Sequence, residues 1–233
     1  MSNPKAFIFD VFGTIVDWRS GVADVTRRVF AEKGIELDPF DFADAWRGKY
    51  QPAMERIRSG NRGYVPLDTL HRENLDELLD EKRIGNEFDD IERSEFNRAW
   101  EKLPPWPDSV PGLEQLKAKT IIAPCSNGSI ALMTRLAKYG NLPWDCVVGA
   151  EIAQKFKPHP QSYLRSVAAL GLQPEEVVMV AAHNDDLVAA RKNGLKTAFI
   201  PRPTEHGPAQ TTDLKPTHEW DYLIEKIDEL LKI

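Results

Sequence analysis

Four short stretches carry side chains able to do chemistry together. "FIFDVFGT" ends a hydrophobic run on Asp10 and places Phe12 and Thr14 just beyond it. "IIAPCSNG" delivers Ser126 and Asn127 after a second run. "KFKPHP" holds Lys157. "VVMVAAHNDD" delivers His183, Asp185 and Asp186 after a third run. A carboxylate at a strand end is a candidate nucleophile, because attack through an enzyme ester splits a hard hydrolysis into two easier steps. Each signal is weak by itself. Asp10 alone reads equally well as a turn residue, and Ser126 as a helix N-cap. Their order and shared placement carry the argument.

Those residues share an edge only if the runs before them are neighbouring strands. In an open parallel sheet, ligands bind beyond the carboxyl ends of the strands. "KAFIFD", "KTIIAPC", "CVVGA", "EVVMVAA" and "KTAFI" read as buried parallel strands. Helical patterns separate most of them: "SIALMTRLAKYG", "HPQSYLRSVAALGLQPEE" and "DDLVAARKNGL", the last ending at Gly194. The alternation predicts an α/β fold, a doubly wound parallel sheet with a Rossmann-like core. Residues 16–105 break the pattern. "DFADAWRGKYQPAMERIRSG", "PLDTLHRENLDELLDEKRIG" and "EFDDIERSEFNRAWEKL" read as amphipathic helices, and "LPPWPDSVPG" as a stiff linker. The expected organisation is a core of residues 1–15 and 106–233 with an inserted helical cap subdomain at 16–105. A cap over strand ends closes and dries a site. "PRPTEHGPAQTTDLKPTHEW" reads as surface loop and "DYLIEKIDELLKI" as a terminal helix.

The 233 residues suit one large domain or a domain with an insertion. With 42% apolar and 28% charged residues, the chain has an ordinary globular composition. A net charge of −6 argues against nucleic acid as a partner, which wants a basic face. It leaves room for a small anionic substrate held by a local cation. No run approaches a transmembrane length and the N-terminus has no apolar signal core, so a cytoplasmic protein without membrane contact is expected. Cys125 and Cys146 have no metal-ligand spacing and read as buried free thiols. His71, His159, His206 and His218 have no partner spacing and read as surface.

The order Asp-x-x-Gly-Thr, Ser-Asn-Gly after a strand, Lys-Pro, and an acid after a further strand resembles the haloacid dehalogenase superfamily over nearly the whole chain. Position 12 points to the type II 2-haloacid dehalogenase branch. Phosphatases of the superfamily carry a second Asp there to protonate the leaving group. Phe12 has no proton to give, and halide needs none. An aromatic also suits a hydrophobic pocket around the carbon under displacement. Trp46 and Arg47 in "WRGKY" match a Trp-Arg pair of that branch, and Tyr163 keeps its spacing from Lys157.

The resemblance implies hydrolytic dehalogenation of short 2-haloalkanoic acids, L-2-haloacids or haloacetates, to 2-hydroxy acids. Asp10 would displace halide, and water would then attack the Asp10 carboxyl carbon. Lys157 would hold Asp10 charged, and Arg47 would reach from the cap toward substrate and halide. The hydrolytic water would depend on His183 or Asp186. Phe12, Thr14, Trp46, Asn127 and Tyr163 would line or position the substrate, with Ser126 and nearby N–H groups on its carboxylate. No metal or cofactor is implied, since no phosphate charge needs neutralising. A homodimer is the assembly the resemblance suggests.

The third motif departs from V-S-S-N-x-W-D of the better-known dehalogenases. "VAAHNDD" has Ala181 for a serine, His183 for the asparagine and Asp185 for the tryptophan. His183 is then either a proton carrier for ester hydrolysis or a stand-in for the amide. Tyr163 reads either as a site residue or as a packed helix residue. The alternative function is a magnesium-dependent phosphatase or phosphonate hydrolase of the same superfamily. Asp185 or Asp186 would then join Asp10 on the metal, and Lys49 is the one obvious early cap lysine for an imine. A catalytically silent interaction module is a third reading, opposed by the retained Asp10, Ser126 and Lys157.

Overall fold

The computed structural model describes residues 3–233, so the first two residues of the expected 1–15 segment lie outside the described residues. Six strands form one parallel sheet: β1 (Ala6–Phe9), β2 (Ile121–Ser126), β3 (Val148–Gly149), β4 (Val177–Ala181), β5 (Lys196–Phe199) and β6 (Tyr222–Leu223). Their order is β3-β2-β1-β4-β5-β6, so β1 sits centrally between β2 and β4. Phe9 pairs with Pro124 on one side and Val180 on the other. The strand order reverses beside β1, and a crevice opens at its carboxyl end.

The helices are α1 (Trp18–Lys33), α2 (Pro39–Gly48), α3 (Tyr50–Arg58), α4 (Leu67–Glu81), α5 (Asp90–Asn97), α6 (Ser109–Lys117), α7 (Ile130–Gly140), α8 (Ala150–Ala153), α9 (Pro160–Ala169) and α10 (Asn184–Lys192). The alternation along β1 divides the core. Phe7 and Phe9 face a cluster with Leu113 and Leu116 of α6 and Leu132 and Leu136 of α7. Ala6 and Ile8 face a second cluster with Tyr163 and Val167 of α9 and Leu187 and Ala190 of α10. Side chains along a strand point to opposite faces, so apolar residues at every position demand cover on both.

Helices α1 to α6 lie between β1 and β2, and the first five of them form a helical segment ahead of Pro104. Both chain crossings into this helical segment lie side by side: Val16 bridges to Phe12 and to Pro105. Asp17 N–H donates to the Pro104 carbonyl at 2.9 Å, and Trp106 N–H donates to the Ile15 carbonyl at 3.0 Å. The larger cluster is continuous from Phe7 and Phe9 of the sheet to Phe42, Trp46 and Phe96 of the helical segment.

Three expectations are corrected. "DFADAWRGKYQPAMERIRSG" is two helices, broken at Lys49. Pro52 has no N–H for the Gly48 carbonyl and its ring crowds that carbonyl, so one helix cannot run through. "DYLIEKIDELLKI" is not an α-helix: it gives β6 and a 3-10 turn over Ile227–Lys232. The Asp221 carboxylate accepts from Thr197 N–H and Oγ1 and so holds Tyr222 beside β5. Ile227 and Leu230 then bury at a three-residue spacing, which suits the tighter helix. Finally, Cys125 is buried but Cys146 is exposed; both are free thiols.

Gly149 closes β3 against β2 with φ +125°, and a Cβ there would lie 2.3 Å from the Ser126 carbonyl oxygen. Both the backbone conformation and the contact exclude a side chain. Gly149→Ala is therefore expected to destabilise the protein by roughly 2–4 kcal/mol. A urea unfolding curve checks this, and an unchanged midpoint would refute it.

Candidate active site

The strand ends bring the acids together around one cation. β1 ends at Phe9, and Asp10 follows while its N–H still donates to the Val180 carbonyl at 3.0 Å. The next turn is tight: Ile15 N–H donates to the Val11 carbonyl at 2.9 Å and Gly13 takes φ +89°. This folds Thr14 back, and its Oγ1 donates to Asp10 Oδ2 at 2.8 Å. Lys157 Nζ donates to Asp10 Oδ1 at 2.9 Å and also to Asp186 Oδ2. Asp186 Oδ1 accepts from the Tyr163 hydroxyl. Asn127 Oδ1 fixes the lysine from behind by accepting its backbone N–H at 2.7 Å.

All these groups are buried, so their charges must offset one another. Burial opposes the charge on Asp10, but Lys157 and His183 outweigh it and hold the carboxyl well below the ordinary range. Burial likewise pulls Lys157 down, yet Asp10 and Asp186 push it above the ordinary lysine value. Burial raises Asp186, and that shift is not fully offset by Lys157. Burial disfavours the imidazolium of His183, but Glu205 and Asp10 reverse this and raise it well above the usual histidine value. Its Nδ1 lies 3.2 Å from Asp10 Oδ2, and its Nε2 lies 3.0 Å from Glu205 Oε2.

A cavity of about 630 Å³ opens over this cluster, in the size range of small-molecule sites. Asp10, Phe12, Asn127, Lys157, Tyr163, His183, Asp185 and Asp186 line it from below. From the helical segment come Arg47, Tyr50, Gln51 and Arg58. The Arg47 guanidinium lies 4.0 Å from the Tyr50 ring centroid, with the Trp18 and Phe12 rings at 5.3 and 5.9 Å. Its buried Nη1 has no hydrogen-bond partner among the described residues. A buried, unpaired guanidinium N–H costs free energy unless an anion arrives to take it.

Three expected substrate contacts are placed behind the cavity wall. Trp46 is buried among Phe42, Phe96 and Trp100, and its Nε1 donates to the His71 carbonyl at 2.9 Å. Its indole is helix-packing core that positions the neighbouring Arg47. Ser126 is wholly buried, and its Oγ accepts from Gly128 N–H at 3.0 Å. Thr14 is wholly buried and acts on Asp10 rather than on the cavity. Lys49 is drawn away to the surface by Glu81 at 2.7 Å and Glu77 at 3.1 Å, and does not line the cavity.

Sequence reasoning missed Glu205, Tyr50 and Arg58. Glu205 lies six residues past the end of β5, in a polar, proline-rich loop that carries no local signal for burial. Tyr50 and Arg58 lie on α3 beyond the break at Lys49, and give no signal beyond helical spacing.

The central strand of a parallel sheet thus ends on a buried, charged aspartate held between a lysine and a histidine, an arrangement suited to carboxylate chemistry. Residues 4–194 match the family model for haloacid dehalogenase-like hydrolases. The chain belongs to that family. It is similar to the (S)-2-haloacid dehalogenase of Xanthobacter autotrophicus, 30% identical over 85% of this chain and 75% of that one. A solved structure of a defluorinating L-2-haloacid dehalogenase is 51% identical, covers 99% of this chain and 94% of its own, and superposes with a TM-score of 0.97. The Xanthobacter autotrophicus L-2-haloacid dehalogenase with chloropropionic acid covalently bound is 25% identical, with 98% and 97% coverage and a TM-score of 0.80.

His71, read from the sequence as surface, is buried behind this site. Its ring stacks on Trp100 at 4.2 Å and lies 6.3 Å from Phe12. Neither ring nitrogen has a hydrogen-bond partner among the described residues. Helical spacing admits a buried position here, but residue type alone argued for water. Burial, helped by Arg47, holds its pKa well below 6.5. The unfolded chain therefore binds a proton that folded His71 refuses. The stability is full above about pH 6.5 and is lost as pH falls below it. His183 acts in the opposite sense, losing stability as pH rises through its raised value. His71→Phe should thus lose less thermal stability than the parent between about pH 7 and about pH 5. Equal losses in two melting series would refute this.

Proposed function

We propose that this protein hydrolyses short 2-haloalkanoic acids, L-2-haloacids or haloacetates, to 2-hydroxy acids through an ester on Asp10. One observation carries the reading. The charged Asp10 lines a cavity whose wall at position 12 is a phenyl ring, packed edge-on to Trp100 at 5.9 Å, and Arg47, whose Nη1 has no hydrogen-bond partner among the described residues, lines the same cavity. Such a site offers a nucleophile and an anion hole, with no acid at position 12 to protonate an alkoxide.

Thr14 and His183 both hold Asp10 Oδ2, so Oδ1, touched by Lys157 alone, is the attacking oxygen. Oδ1 displaces halide from C2 in line, and the electron pair of the carbon–halogen bond leaves with the halide. Arg47 supplies fixed positive charge for the substrate anion and the departing halide, at no cost of reorganisation. Lys157 keeps Asp10 ionised at any working pH. Water then attacks Asp10 Cγ, and Asp186, whose basicity burial has raised, takes the water's proton. The covalent chloropropionic adduct of the Xanthobacter autotrophicus relative supports the ester route.

The same reading takes residues 16–105 as a cap that brings Arg47 to the core. Its fuller form is a cytoplasmic homodimer, which light scattering would test for assembly. The imine-forming phosphonate route is disfavoured by Lys49, which is held at the surface by two glutamates.

Halide release from chloroacetate, L-2-chloropropionate and fluoroacetate tests the proposal, with EDTA-treated enzyme and an Asp10→Asn control. Release that falls to background in Asp10→Asn is expected. No release from any of the three would overturn it. Arg47→Lys keeps a charge but loses the planar fork, and should lower kcat/KM by roughly tenfold or more. A value equal to the parent's would remove Arg47 from the mechanism.

A further inference from the structure

Glu205 is a buried acid that the reaction above does not use. Its carboxylate is closely built in. Trp18 Nε1 donates to Oε1 at 3.0 Å, and His183 Nε2 lies 3.0 and 3.1 Å from its two oxygens. Arg202 anchors the loop that carries it, donating to the Thr14 carbonyl at 2.9 Å and to both Asp108 oxygens. Gly13 makes the approach possible, since a Cβ there would lie 2.1 Å from Glu205 Oε1. A buried carboxylate on an imidazole that itself reaches a nucleophile is a recurring catalytic arrangement.

We propose that Glu205 is a positioning residue that keeps His183 an imidazolium through both half-reactions, so that its Nδ1–H stays on Asp10 Oδ2 when water attacks the ester. The proposal rests on the ester reading above. In the resting enzyme two carboxylates flank His183, Asp10 and Glu205. Alkylation of Asp10 removes one of those charges. Glu205 is then the anion left in contact with the ring. The other charged groups around it are Arg47 and His206, which act on Glu205, and Lys157 with Asp185 and Asp186 beyond Asp10. The strong raising of His183 by these neighbours agrees with the geometry.

The water oxygen bonds to Asp10 Cγ, and the carbonyl π pair moves onto Oδ2, which Thr14 and His183 hold. One water proton passes to Asp186. On collapse the Cγ–Oδ1 bond to the substrate breaks, and that proton moves to the product oxygen. The second water proton leaves to solvent as Asp10 ionises again. His183 stays charged throughout and stabilises the oxyanion.

The test compares the full chain with Glu205→Gln, His183→Asn and the double variant, using L-2-chloropropionate. Intact-protein mass follows the ester, and halide release follows the first step. In Glu205→Gln we expect one rapid halide per site, an ester that decays on the order of tenfold more slowly, and an alkaline limb moved down by about one pH unit or more. The sign follows from linkage: without Glu205 the imidazolium deprotonates at lower pH, and the activity that needs it is lost sooner as pH rises. His183→Asn should lack the limb, and adding Glu205→Gln to it should change nothing further. An unchanged ester lifetime, a slowing without any shift of the limb, or an equal Glu205→Gln effect in the His183→Asn background would overturn the proposal. A ¹⁵N titration of His183 in the resting enzyme needs no turnover. A pKa that falls in Glu205→Gln supports the proposal and an unchanged one overturns it, even where haloacids prove not to be substrates.

Discussion

The buried ammonium of Lys157 is the constraint on which the rest depends. It lies between two carboxylates, Asp10 and Asp186, and all three groups are buried at the floor of the cavity. Removing one partner from such a cluster costs roughly 3–5 kcal/mol, because a charge is left uncompensated. The same contact sets the chemistry. It keeps Asp10 ionised, and therefore nucleophilic, in a place where burial would otherwise protonate it. Three separate chain segments must converge to build it: the end of β1, the loop before α9 and the start of α10. The parallel sheet meets that need, since its strand ends lie on one edge.

The helical segment adds what the sheet cannot supply. Asn127 holds Lys157 with one end of its amide and donates to the Tyr50 hydroxyl of α3 with the other, at 2.9 Å. Arg58 of the same helix donates to the Lys157 carbonyl at 3.2 Å. Arg47 thereby lines the same cavity as Asp10, with Tyr50 beneath its guanidinium and Trp46 packing its helix. The aromatic wall of Phe12, Trp18, Trp100 and Tyr50 sets a low dielectric around these charges, in which each acts more strongly than it would in water.

The fold was legible where local pattern and position agreed. Three of the five apolar runs, those of β1, β2 and β4, lead into residues with reactive side chains, so the edge that carries Asp10, Asn127 and Asp186, with Lys157 beside it, could be read directly. What stayed hidden was long-range. Glu205 sits in a polar, proline-rich loop and acquires its role only from Trp18 and His183, both far off in the sequence. His71 lies on a helix whose spacing allows either water or core, and only the packing of Trp100 decides. Trp46 was expected on the substrate, but its indole packs among Phe42, Phe96 and Trp100, because adjacency to Arg47 says nothing of which way an indole turns. The last strand was masked by residues with good helix propensity, overridden by Asp221 holding the chain beside β5.

The continuous hydrophobic cluster has a consequence for how such proteins diversify. Phe42, Trp46 and Phe96 of the helical segment share one apolar interior with Phe7 and Phe9 of the sheet. The segment enters and leaves at adjacent points, which resembles a cassette that could be exchanged among relatives. The shared interior argues otherwise. A chimaera that grafts a foreign segment at residues 16 and 105 inherits matched ends and mismatched packing. Exchange of specificity by recombination in this fold must carry the facing sheet residues along with the helices.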